Sequence, residues 1–158
     1  MRIIGIDPGY DRMGIAVIDN ASGKETLLYS DCVTTSSKQT LPERLKIIGD
    51  GFEEVVKKYK PTTLAIEKIY FTVNQKTAIA VAGSKGVIQY LAAKHGLRVA
   101  EFTPSEMKLA VAGYGKATKD QIIKMTSLQI KVEKPPRHDD EWDAIAIGLT
   151  GLARAKNR

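Results

Sequence analysis

Four carboxylates occupy the places where this chain's apolar runs end or its last helix begins. Asp7 closes I-I-G-I-D-P-G, Glu67 closes T-L-A-I-E-K, and Asp140 and Asp143 lie three apart just after Pro135-Pro136. A buried carboxylate is costly unless it is paired or binds a cation. Acids at the exits of buried runs therefore point to a hard divalent cation, which takes oxygen ligands. Two such ions can clamp the attacking and leaving oxygens of a phosphodiester. At i, i+3 on a helix, Asp140 and Asp143 share one face, and a helix N-terminus favours anions. Simple N-capping competes for acids in that position; it is assigned to His138 or Asp139, with Asp140 and Asp143 kept as ligands. For Asp7 the competing use is a turn acid before Gly9, and for Glu67 a surface pair with Lys68. The flanking Ile6 and Pro8, and the core-like Ala65 and Ile66, argue against both.

These acids need elements to position them. Arg2 to Asp7 reads as a buried strand that Pro8-Gly9 breaks, so the tight Pro-Gly backbone lies near whatever Asp7 binds. Met13 to Asp19 and Glu25 to Thr34 read as two more strands, and the short turns between them predict an antiparallel meander. Leu41, Leu45, Ile48, Phe52, Val55 and Val56 recur at helical spacing, in a helix that stops before Pro61. Thr62 to Glu67 is a short buried strand, Gln75 to Lys94 an Ala- and Gly-rich helix, and Leu97 to Phe102 a fifth strand. Thr103-Pro104-Ser105-Glu106 carries the marks of a helix start. That helix ends by Gly113. Another runs from Thr118 to about Ile130, and the last from about Asp139 to Ala155. The order predicts an α/β protein: one domain over residues 1–158, with a mixed sheet flanked by helices on both faces.

Hydrophobic residues make up 43% of the 158, enough for a core. No run is long enough to cross a bilayer. The N-terminus reaches an acid at once and shows no signal-peptide pattern, so a soluble, cytoplasmic protein is expected. The single cysteine, Cys32, excludes an intrachain disulfide and reads as a small buried hydrophobe. A formal charge of +6 favours an anionic partner.

The ordered set G-I-D-P-G, A-I-E-K-I-Y-F and D-E-W-D-A-I-A-I resembles the RuvC family of Holliday-junction resolvases, within the RNase H-like superfamily. The resemblance runs nearly end to end. It implies an RNase H-like fold with a five-stranded mixed sheet. It also implies a homodimer that cuts four-way DNA junctions, with a magnesium-dependent site in each subunit. Asp7, Glu67, Asp140 and Asp143 match the family's catalytic acids. Two Mg²⁺ ions per site are expected, with Mn²⁺ as a substitute. One would activate water and the other stabilise the leaving 3′ oxygen, giving 5′-phosphate and 3′-hydroxyl ends. Some members use His near the first position of the last acid pair, which keeps His138 open as a ligand or general base.

Lys108 and Lys119 match the family's lysines at the scissile phosphate, where each can neutralise developing charge. Ordinary surface solubilisation is the bland alternative. Lys116 and Arg137 are further candidates for backbone contact. Tyr70 falls where the family places an aromatic at the junction centre. Successive residues on an extended segment point opposite ways, so Tyr70 is expected outside, on the DNA, and Phe71 inside, though both are kept as DNA-binding candidates. The Gln75 to Lys94 helix is the expected dimer surface, since Ala78, Ala82, Gly83, Gly86 and Ala93 let another backbone come close. Packing on its own sheet is the competing use. A branch-migration motor is the usual partner in the family. Another RNase H-like nuclease acting on structured RNA, a junction-binding module without activity, and a sugar-kinase-like ATPase are the alternatives. The last needs a longer chain with a second nucleotide-binding half.

Overall fold

The computed structural model describes residues 1–21, 23–68 and 75–156. Its elements run β1 (Arg2–Asp7), β2 (Arg12–Asp19), β3 (Thr26–Thr34), α1 (Leu41–Tyr59), β4 (Thr63–Glu67), α2 (Gln75–Lys94), β5 (Arg98–Phe102), α3 (Pro104–Ala112), α4 (Lys119–Gln129) and α5 (Asp139–Lys156). Every element predicted from the sequence is present. The sheet order is β3-β2-β1-β4-β5. The first three strands form the antiparallel meander, and β4 and β5 add in parallel beyond β1.

The caps explain where the helices start. Thr40 and Glu43 form a capping box before α1, Thr103 and Glu106 before α3, and Thr118 and Gln121 before α4. Each satisfies N–H groups that a helix end leaves unpaired. One inward position differs from the periodicity. Leu41 is exposed in the first turn of α1, and Arg44 is buried in its place. Arg44 tolerates burial because its charge is matched: it pairs with Asp11 at 2.8 Å, donates to the Ser36 carbonyl at 2.8 Å, and lies 5.0 Å from the Tyr10 ring centre.

Strand alternation divides the core in two. Ile4, Ile6, Met13, Ile15, Val17, Leu64 and Ile66 share a cluster with Ile48, Phe52 and Ile88 of α1 and α2. Ile3, Ala16, Ile18 and Ala65 share the other with Ile145, Leu149 and Leu152 of α5 and Met107 and Ile122 of α3 and α4. The helices therefore cover both faces, as predicted. The same alternation sets the acids. Ile3 and Gly5 point toward α5, so Asp7, two residues on, does too. Ala65 faces α5, so Glu67 does as well. Ile6 pairs with Ile66 in the parallel register, which leaves Asp7 and Glu67 side by side at the ends of neighbouring strands.

Candidate active site

The first turn of α5 must come down onto Asp7 if its acids are to join it, and glycines make that approach possible. A Cβ on Gly14, the cross-strand partner of Asp7, would stand 1.8 Å from the Asp140 carbonyl oxygen. One on Gly5 would stand 2.3 Å from the Ala144 carbonyl oxygen. The helix backbone thus rests directly on the sheet backbone. Gly14→Ala is expected to destabilise the protein by about 3 kcal/mol or more, the upper range for overpacking a core. Urea unfolding checks this, and a loss below about 1 kcal/mol would mean that α5 can lift off the sheet cheaply.

The turn after Asp7 is held from the opposite face. Ser84 of α2 donates to the Gly9 carbonyl at 3.0 Å, while Arg44 of α1 grips Asp11 and covers Tyr10. A third tie fixes the rotation of α5. Buried Glu141 accepts a 2.6 Å hydrogen bond from Ser30 of β3.

Burial and neighbouring acids both act on these carboxyls. Burial pushes the Asp7 carboxyl up to about 8, with Asp143, Glu67 and Asp140 adding to the rise and Lys119 opposing it. Glu67 is raised by burial and by Asp143, against Lys85 and Lys108. Asp143 is raised chiefly by burial, against Lys119. These mutual effects place the four predicted acids in one field. Among the described residues no three acids, histidines or cysteines stand close enough to hold a cation as they are. Two of the four acids are engaged by cations of the chain itself. Arg12 Nε lies 2.9 Å from Asp140 Oδ2, and Lys119 Nζ lies 3.4 Å from Asp143. An all-oxygen donor set in which Asp143, Glu67 and Asp140 all raise Asp7, and Asp143 raises Glu67, suits a hard divalent cation, which would favour the ionised forms.

The remaining candidates divide. Lys119 opens α4 and reaches Asp143, pairing also with Asp139 at 3.1 Å. Asp139 begins α5 and is engaged with that lysine. Lys108, on α3, is partly buried and acts on Glu67. Lys116, Arg137 and His138 are exposed, and His138 contributes its carbonyl to the Glu141 N–H. Cys32 is only partly covered, and burial, with Asp140, pushes its thiol up to about 12, which makes it a poor nucleophile. Tyr70 and Phe71 lie outside the described residues. Sequence reasoning missed Arg12, the Ser30–Glu141 tie and Lys85, which pairs with Glu101. Arg12 alone left a signal: a cation beside the turn that follows the first acid.

Known proteins resemble this chain in sequence and in fold. The family model described as crossover junction endodeoxyribonuclease RuvC matches residues 3–151. A crossover junction endodeoxyribonuclease RuvC of Prochlorococcus marinus is 40% identical over 96% of this chain and 98% of its own. The protein of that name from Moorella thermoacetica is 40% identical over 94% of this chain and 89% of its own. Among solved structures, Thermus thermophilus RuvC in complex with a Holliday junction substrate superposes with a TM-score of 0.92 at 30% identity, covering 99% of this chain and 96% of that one.

Proposed function

The chain belongs to the RuvC family of crossover junction endodeoxyribonucleases, and on that premise we propose that it resolves four-way DNA junctions by metal-dependent hydrolysis of a phosphodiester in each of two strands. The observation that carries the chemistry is the meeting of Asp7, Glu67, Asp140 and Asp143 from β1, β4 and α5 in one partly buried field, with Asp7 held near 8.

Those four carboxylates would hold Mg²⁺, or Mn²⁺ in its place. Two such ions supply Lewis acidity, activate water and stabilise the leaving oxygen. The chain's own residues do the rest. The sheet ends and the seated α5 fix the backbones that carry the acids, and side-chain rotation would close them on a cation. Lys119 and Lys108 flank the acid cluster, and each neutralises negative charge that builds as a phosphate reacts there. Lys116 adds a backbone contact from the α3–α4 loop. Tyr70 stacks at the junction centre, a contact worth about 1–3 kcal/mol per base. The products are 5′-phosphate and 3′-hydroxyl ends. The site acts in recombination and repair, and a branch-migration motor is its natural partner. No helix among the described residues is long and apolar enough to cross a membrane.

The working unit is a homodimer, since paired cuts need two sites at a fixed separation. Its surface is one stripe of α2. Ile79 and Tyr90 are 66% and 68% exposed, and Ala82, Gly86 and Ala93 fall on the same helical face. Gly83 belongs to the inner side, against Leu45 of α1, and Ala78 is partly covered. A Cβ at Gly86 meets nothing within 4 Å in the single chain. Gly86→Gln is therefore expected to leave the fold intact, with helix propensity improved by about 1 kcal/mol or less, and to weaken the dimer tenfold or more, on the order of 1.4 kcal/mol. Sedimentation over a concentration series measures it. A dimer of unchanged strength would move the interface off α2.

The function is tested on a synthetic four-way junction beside a linear duplex of the same sequence, with and without Mg²⁺. Paired symmetric nicks in the junction alone, dependent on metal, are expected. Equal cutting of the duplex would make the protein a general nuclease. Binding without cutting in Mg²⁺ or Mn²⁺ would leave only a recognition module.

A further inference from the structure

Among the described residues, Asp140 is the one acid of the cluster in a direct ion pair with an arginine, and that arginine's bonding is lopsided. Arg12 reaches Asp140 through Nε alone, 2.9 Å from Oδ2. Among the described residues its two terminal nitrogens have no hydrogen-bond partner. The side chain is 49% exposed, so this free edge of the fork faces solvent. Nε–H fixes one carboxylate oxygen and leaves Oδ1 of Asp140 unengaged among the described residues. The two terminal nitrogens form the planar, bidentate edge that suits a phosphate.

Arg12 also stands in the right place. It opens β2, beside the turn that follows Asp7, and two residues before the Gly14 on which α5 rests. A phosphate seated on that edge would lie at the mouth of the acid cluster, on the side of β2. Lys119 comes to the cluster from α4, and Lys108 acts on it from α3. We propose that Arg12 serves twice: Nε positions Asp140 for its cation, while the free edge of the guanidinium binds a phosphate of the DNA strand beside the acids. This rests on the reading of the protein as a junction nuclease.

The experiment compares wild type, Arg12→Ala and Arg12→Lys by two readouts that do not involve cleavage. The first is junction binding in Ca²⁺ across a salt series. The second is Mn²⁺ binding to the DNA-free protein by calorimetry. Arg12→Ala is expected to lower the log–log salt slope by about 0.9, one phosphate on a duplex arm. It is also expected to weaken Mn²⁺ binding severalfold, because Asp140 loses its support. Arg12→Lys restores the slope, since a point charge still meets a phosphate, but not the metal affinity, since it cannot reproduce the Nε bond held beside a free edge.

An unchanged slope in Arg12→Ala overturns the phosphate contact. Mn²⁺ binding that tightens in that variant overturns the positioning role, because Arg12 would then be a competitor for Asp140. If wild type itself does not bind the junction, the functional reading fails before this inference is reached.

Discussion

Asp7→Asn is expected to lower junction cleavage by about 10³-fold or more while junction binding in Ca²⁺ stays near that of wild type. Charge stabilisation by a catalytic cation contributes several kcal/mol, and each 1.36 kcal/mol is a decade in rate. Asp7 is the acid on which the field of the other three converges: Asp143, Glu67 and Asp140 all act on it. Replacing it by an amide removes the charge at the centre of the proposed ligand set. The change leaves Lys108, Lys116 and Lys119 untouched, so the proposed phosphate contacts survive. Gel-shift titration in Ca²⁺ and single-turnover cleavage in Mg²⁺ separate the two effects. Cleavage within tenfold of wild type would remove Asp7 from the metal set. Loss of binding with retained cleavage would contradict the assignment outright.

The fold was legible because its signals are local. The apolar runs I-I-G-I-D and A-I-E marked buried strands, and Thr103-Pro104-Ser105-Glu106 and Thr118 marked helix starts in the chain itself. The four acids were legible for the same reason: each sits where an apolar run exits or a helix begins. What escaped depends on contacts far apart in sequence. Arg12 and Asp140 are separated by 128 positions, and Ser30 and Glu141 by 111. No periodicity connects such pairs. The strand glycines went unread. Gly83 and Gly86 drew notice as small residues of a helix, yet Gly5 and Gly14 decide whether α5 reaches the site at all. A glycine within a strand signals close approach only once the approaching element is known. Arg44 shows the same limit, since a buried arginine follows no hydrophobic pattern and is explained only by Asp11, Ser36 and Tyr10 around it.

The crowding that suits the site to a cation also sets how the protein's stability depends on pH. Asp7 has its carboxyl raised from 3.8 to about 8 in the folded chain, and Glu67 and Asp143 are raised as well. A carboxyl raised by folding binds more protons folded than unfolded between the two values, so stability falls as pH climbs through that window. In EDTA, the protein is therefore expected to be more stable at pH 5 than at pH 8, by several kcal/mol at most, since a tenfold change in proton affinity is worth about 1.36 kcal/mol. The lowered carboxyls, Glu53 at about 2 with Asp19, Glu43 and Glu106, act in the opposite sense, but below about 4.5 and so outside this window. Asp7→Asn removes the largest contributor. Its urea midpoint in EDTA is expected to exceed that of wild type at pH 8 and to vary less between the two pH values. Mg²⁺ reverses the order, because ligands must be ionised to bind it. At a hundredfold excess over its dissociation constant it adds about 2.7 kcal/mol, with the larger gain at pH 8 and little gain in Asp7→Asn. Wild type that gains stability from pH 5 to pH 8 in EDTA would mean that Lys119 and Arg12 already neutralise the cluster. The drive to take up a cation would then come from substrate rather than from the acids themselves.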